Sequence, residues 1–131
     1  MSDSFSLKAG GDIRPSRFIS ISGNYTVSES NAGSVVFGVS HDSTKAAPAD
    51  GLANANHAEA DDTVSYYKLG DSCLLTAGAA VAAGAFLKPD ADGRGVTAST
   101  ADDLAGAVAL EAAGAAGELI RVQIQNVRIH A

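Results

Sequence analysis

Hydrophobic residues in this chain occur in short runs that are separated by polar and turn-forming residues. Four runs in the second half are too short and too often interrupted for helices and are predicted as strands: Cys73–Leu75, Phe86–Leu87, Val96–Ala98 and Ala107–Leu110. Alternation of apolar and polar residues predicts further strands at Arg17–Ser22, Ser34–Ser40, Thr63–Leu69 and Glu118–Gln125. The chain is therefore predicted to be mainly β.

The apolar positions change phase in the last predicted strand. Ile120, Val122 and Ile124 are even-numbered and would share the face toward the core, whereas Val127 and Ile129 are odd-numbered. Because side chains in a strand alternate with a period of two, one regular strand cannot bury both sets. The sequence therefore predicts a bulge, a turn or a change of layer near Gln125 and Asn126.

The segment Pro89–Gly95 has the composition of a loop between two antiparallel strands. Proline fixes φ at its start, aspartate can accept hydrogen bonds from the neighbouring backbone, and glycine adopts positive φ readily. We expect positive φ at both Gly93 and Gly95. The start of the segment also imitates a calcium-binding loop, but the later acidic ligands are missing. A hairpin is the preferred interpretation.

The length of 131 residues fits one domain. Residues 1–16 are predicted to be an N-terminal arm, either a disordered terminus or an extended segment on a neighbouring subunit. Residues 17–131 are predicted to form a single β domain, in which 41–62 is a long irregular loop. At most one or two short helices are expected, at Ala77–Ala83 and near Thr100–Asp103.

Composition narrows the function classes. Hydrophobic residues are 46% of the chain, but much of this is alanine, aromatics are 5% and tryptophan is absent, which leans against a deep ligand pocket. The net charge is −6 and lysines and arginines do not cluster, so direct binding of nucleic acid is not expected. Neither a signal peptide nor a membrane-spanning run is recognisable, and we expect a soluble protein made in a cytoplasm.

The candidate chemical groups do not form a catalytic pattern. His41, His57 and His130 have no metal-ligand spacing, and we expect neither a metal nor a cofactor. Cys73 lies among leucines without a nearby base, as expected for a small buried side chain rather than a nucleophile. We therefore do not predict an enzyme.

Four ordered blocks of the sequence resemble the capsid cement, or head decoration, proteins of tailed bacteriophages. They are DIRPSRFI at 12–19, GVSHDSTK at 38–45, LLTAGAAVAAGAFLKPDADGRGVTA at 74–98 and AGAVALEAAGAAGELIRVQI at 105–124. Each block alone is made of small residues and turns, but their order and spacing agree over nearly the whole chain.

The resemblance implies a small β-barrel or β-clip-like body that binds the outer surface of a phage head as a homotrimer and bridges capsid subunits. The major capsid protein would be its partner, and the virion its location. The resemblance begins at five residues to which we assign capsid contact: Ile13, Arg14, Pro15, Arg17 and Phe18. The alternative is a small β ligand-binding or accessory module without catalytic activity.

Overall fold

The computed structural model describes residues 6–42 and 57–129. Strands are the regular elements of these residues, and no helix is found among them. The strands are β1 (Lys8–Ala9), β2 (Phe18–Gly23), β3 (Thr26–Glu29), β4 (Gly38–Ser40), β5 (Tyr66–Tyr67), β6 (Ser72–Thr76), β7 (Phe86–Pro89), β8 (Gly95–Thr97), β9 (Leu104–Ala109) and β10 (Leu119–Arg128).

The strands form two five-stranded sheets. The first has the order β1-β3-β2-β4-β5, and the second has the order β6-β10-β9-β7-β8. Neighbouring strands are antiparallel except for β1 and β3, which are parallel. The prediction of a mainly β protein with a barrel-like body is confirmed.

The second sheet curls so that its two edges meet. Directly after β6, Ala77 pairs with Gly95 at the start of β8, which is the strand at the opposite edge. The interior is narrow there, since a Cβ on Gly95 would lie 2.6 Å from the Leu75 Cδ2 atom. Gly95 is therefore needed for close packing and not for positive φ, which corrects the prediction made for it.

The small residues of β9 make room for the larger ones of β10. Ala109 pairs with Val122 and Ala107 with Ile124, and all four side chains are buried. Because alanine extends little from the backbone, a tightly curled sheet can close over the branched side chains of its neighbour. The small barrel interior thus explains the buried alanines of β9.

The predicted change of phase in the last strand is confirmed. β10 pairs with β9 in one register up to Ile124 and in a shifted register from Val127 onward. Ile120, Val122 and Ile124 are all buried, as expected. Between these positions Gln125 and Asn126 lie opposite the single residue Gly106 of β9, so one extra residue forms a bulge in β10.

The predicted N-terminal arm is not an arm over residues 6–16. Leu7, Ala9 and Ile13 are buried in the core of the first sheet, and β1 pairs with β3. These apolar residues complete a small core. An arm that extended onto a neighbour would expose this core to solvent. Residues 1–5 lie outside the described residues, and the wider division of the chain into domains stays a prediction.

The predicted loop at 41–62 falls largely on residues 43–56, which lie outside the described residues. Its C-terminal part belongs to the first core, because Ala58 is buried and pairs with Ile13. The alanine-rich segment at 77–83 forms two isolated bridges, Ala77 with Gly95 and Val81 with Ala113, instead of the short helix that its composition allowed. These bridges satisfy backbone groups that a helix would have paired internally.

The two sheets share a second core. Phe18, Val36 and Val39 pack with the barrel side chains of β6, β7, β9 and β10. Val36 meets β9 at Gly106, where an added Cβ would lie 2.5 Å from Val36 Cγ2 and 2.7 Å from Val36 Cβ. Because β-branched side chains have little freedom to move aside, only glycine fits at this crossing.

We predict that Gly106→Ala lowers the free energy of unfolding by about 1–3 kcal/mol, because the new methyl group overpacks against Val36. Urea denaturation at constant pH measures the change. Gly11→Ala is the matched control, because nothing lies within 4 Å of the Cβ added there.

Val36→Ala tests the cause of this loss. If the clash is responsible, Gly106→Ala combined with Val36→Ala is less destabilised than the sum of the two single variants. Additive losses would contradict the assignment of Gly106 to this contact.

Candidate docking surfaces

The five predicted capsid-contact residues divide into two groups. Ile13 and Phe18 are completely buried, Ile13 in the core of the first sheet and Phe18 in the shared core. A side chain without exposed surface cannot touch a partner while the protein is folded, so the assignment of contact to these two is corrected. Arg14, Pro15 and Arg17 are half-buried at the surface.

Arg14 is held by a forked contact with Glu29 on β3. Its Nε donates to Glu29 Oε2 over 3.0 Å and its Nη2 to Oε1 over 2.8 Å, while its backbone N–H donates to Oε2 over 2.7 Å. The hydrogen bond with Glu29 is the main cause that raises the pKa of Arg14 above its ordinary value. The geometry is that of a strong bidentate pair.

Arg14 and Arg17 also hold the β7–β8 hairpin against the first sheet. Arg14 Nη2 and Arg17 Nη1 both donate to the backbone carbonyl of Asp92, over 3.2 and 3.0 Å. Next to it, the Phe18 N–H donates to the Gly93 carbonyl over 2.8 Å. Burial lowers the pKa of Arg17, and the charge of Arg14 adds to this effect. Both arginines thus have a structural task.

The hairpin itself has the predicted turn chemistry. Asp90 Oδ1 accepts the N–H groups of Asp92 and Arg94 over 2.8 and 2.9 Å, and Oδ2 accepts Arg94 Nε over 3.0 Å. Gly93 has a φ of 76°, as predicted. The carboxylate of Asp90 is therefore engaged in the turn, which supports a hairpin over a calcium loop.

An apolar groove of about 610 Å³ lies where the first sheet meets the bulge of β10. Its most exposed apolar side chains are Ile21, Val35 and Leu69, with 53%, 64% and 59% of their surface accessible. The full lining is Ser20, Ile21, Ser34, Val35, Val36, Phe37, Tyr66, Lys68, Leu69 and Asn126. We call this surface the apolar groove.

The groove exists because the first sheet narrows. β4 pairs only with Phe18 and Ile19 of β2, so Ile21 extends beyond the covered part of the sheet. Alternation alone puts Ile21 on the same strand face as Ile19, and Val35 on the same face as Val39. Only Ile19 and Val39 of these four are buried.

A smaller cavity of about 170 Å³ continues the groove along the end of β10. It shares Val35, Val36 and Asn126 with the groove and adds Leu104, Ala105, Val127 and Arg128. Neither lining contains a carboxylate, and together they contain the cations Lys68 and Arg128. The carboxylate of Asp71 lies beside this lining without being part of it, and its Oδ2 accepts the backbone N–H of Lys68 over 2.9 Å.

A second exposed surface lies at the other end of β10, in the loop at 110–118 between β9 and β10. Leu110 and Leu119 at the two ends of this loop are 50% and 54% exposed. The loop contains Glu111 and Glu118 and no lysine or arginine. Both glutamates are exposed, and each accepts a backbone N–H, from Arg121 and Gly114 respectively. We call this surface the acidic loop.

The side chains of Cys73, His57 and His41 have contacts or burial typical of structural residues. Burial is the main cause that raises the pKa of the Cys73 thiol to about 12, the opposite of what a nucleophile needs. His57 Nε2 accepts the Ser65 N–H over 3.0 Å, and the His41 ring stacks on Tyr67 with centroids 5.2 Å apart. His130 lies outside the described residues.

Within residues 6–42 and 57–129, His, Cys, Asp and Glu nowhere form a group of three that could hold a metal ion. The same part of the chain has no helix that is long and apolar enough to cross a membrane.

No protein-family model and no curated protein matches this sequence. Among solved structures, the crystal structure of the head fiber gp8.5 N base of bacteriophage phi29 is similar, with a TM-score of 0.66 and 18% sequence identity. The similar region covers 97% of each chain. The two chains share a fold.

We predict that Arg14→Ala lowers the free energy of unfolding by about 1–2 kcal/mol, because it removes the forked contact and leaves the half-buried Glu29 carboxylate without it. Thermal and urea denaturation measure the change. Lys8→Ala is the matched control, since Lys8 and Asp61 are 3.9 Å apart and both are largely exposed.

Arg14→Lys separates geometry from charge. Lysine keeps the charge but cannot form the fork, so we expect it to restore only part of the lost stability. Equal stability of Arg14→Ala and Lys8→Ala would contradict a structural role for the Arg14–Glu29 pair.

Proposed function

We propose that this chain is a structural protein of a bacteriophage head, which binds the outer capsid surface and stabilises the shell by bridging neighbouring capsid subunits. The observation that carries the proposal is the fold shared with the head fiber gp8.5 N base over 97% of each chain. The sequence resemblance to capsid cement proteins supports the same class by a separate route. The proposed partners are the major capsid protein and two further copies of this chain.

The physical basis of such a role is multivalent binding, in which several contacts of modest affinity act together. A trimer that contacts several capsid subunits binds more tightly than one copy, because the later contacts form at a high effective concentration. Since it binds the assembled shell better than separate subunits, it shifts the equilibrium toward the shell. A chemical site is not required for this role.

The exposed parts of Arg14, Pro15 and Arg17 are the proposed capsid contact. They lie beside the tip of the β7–β8 hairpin, where Asp92 has a side chain that is 55% exposed. Arginine and aspartate side chains at the same edge offer hydrogen-bond donors and acceptors to a polar shell surface. Binding there leaves the apolar groove and the acidic loop available.

We predict that purified phage particles contain this protein in a fixed proportion to the major capsid protein. Quantitative mass spectrometry of gradient-purified virions measures the ratio. Addition of purified protein to shells that lack it should restore the ratio and raise the temperature at which the shells break. Absence from the particles would overturn the proposal.

The second candidate is a small ligand-binding module, which the volume of the apolar groove favours. A volume of about 610 Å³ is within the usual range of small-molecule sites. A ligand in the groove should raise the melting temperature in a saturable way, and Val35→Asp should abolish the rise. No shift across a panel of polar and apolar metabolites would argue against this candidate.

A further inference from the structure

The apolar groove and the acidic loop have complementary chemistry. The groove and its continuation present Ile21, Val35 and Leu69 with the cations Lys68 and Arg128 and without a lining carboxylate. The acidic loop presents Leu110 and Leu119 with the carboxylates of Glu111 and Glu118, which outnumber the one neighbouring cation, Arg121. Exposed apolar side chains with a charged border of one sign mark a surface that binds a partner of the other sign.

The two surfaces cannot meet within one copy of the chain. Leu119 begins β10 and Asn126 lines the groove near the end of this strand, so the two residues are seven positions apart. At about 3.3 Å per residue, the separation along the strand is roughly 20 Å. The groove of one copy can therefore be filled by the loop of another copy.

We infer that this protein associates with itself head to tail, with the acidic loop of one copy seated in the apolar groove of the next. Leu110 and Leu119 enter the groove, while Glu111 and Glu118 lie near Lys68 and Arg128. A contact between two different surfaces forms a ring when the rotation between copies closes. The inference rests on the self-association included in the proposed function and assigns the surfaces that make it.

The test uses one variant on each surface. Val35→Asp places a carboxylate in the groove, where it repels the incoming glutamates, and Leu119→Lys places a cation at the base of the loop, where it is repelled by Lys68 and Arg128. Both residues are more than half exposed, so the fold should persist, and circular dichroism with thermal melting checks this. Tyr25→Asp is the matched control, because Tyr25 is 65% exposed and lines neither surface.

Sedimentation velocity should show a trimer for the natural sequence and for Tyr25→Asp. Each of the other two variants alone should sediment mainly as a monomer, with self-association weakened by about tenfold or more, as when an interface anchor is lost. An equimolar mixture of the two variants should sediment as a dimer, because the mixture retains one intact groove and one intact loop.

Three results would overturn the inference. They are a monomeric natural sequence, a mixture that stays monomeric, and a Tyr25→Asp variant that loses association as completely as the other two. The amount of this protein in virions is a separate measurement that tests the proposed function. A protein that forms the predicted mixed dimer but is absent from particles contradicts the phage-head proposal alone, whereas a particle-bound protein without the mixed dimer contradicts only this interface.

Discussion

Closure of the second sheet is the constraint on which the rest of the molecule depends. The bridge from Ala77 to Gly95 joins its edges, and this is possible only where side chains inside the curve are small. Ala107 and Ala109 face Ile124 and Val122 across the ladder, which keeps the interior filled without widening it. The small volume of the barrel accounts for a core rich in alanine and valine.

The curled sheet also determines how the first sheet is attached. Gly106 lets Val36 approach β9, and Phe18 and Val39 enter the shared core on the same side. Outside this core, Arg14 and Arg17 hold the β7–β8 hairpin at Asp92. Apolar packing therefore supplies the adhesion between the sheets, and the arginines determine their alignment. The groove is what remains uncovered where the narrower sheet ends.

Sequence reasoning identified the features that depend on local chemistry. The odd-numbered Val127 after the even-numbered Ile124 predicted the irregularity in β10, because a period of two leaves no other solution. Asp90 and Gly93 predicted the hairpin through turn preferences. The mainly β class followed from short apolar runs, and it is confirmed.

The errors occurred where distant segments decide the outcome. Leu7 and Ala9 are two isolated apolar residues in a polar segment, and only the parallel pairing with β3 shows that they are core. Ile21 and Val35 fit a buried face by alternation, but the short β4 leaves them exposed. Ile13 and Phe18 were assigned to contact by resemblance and are buried. The groove could have been found only from the lengths of neighbouring strands, which alternation does not give.

The attachment of the β7–β8 hairpin has a consequence for how this chain can vary. The side chains of Arg14 and Arg17 and the N–H of Phe18 donate to the carbonyl oxygens of Asp92 and Gly93, and every amino acid has such an oxygen. The side chain of the exposed Ala91 takes no part in this anchoring. The tip can therefore change its sequence at Ala91 while its position on the body stays fixed. A recognition surface placed there could diversify rapidly on an unchanged scaffold.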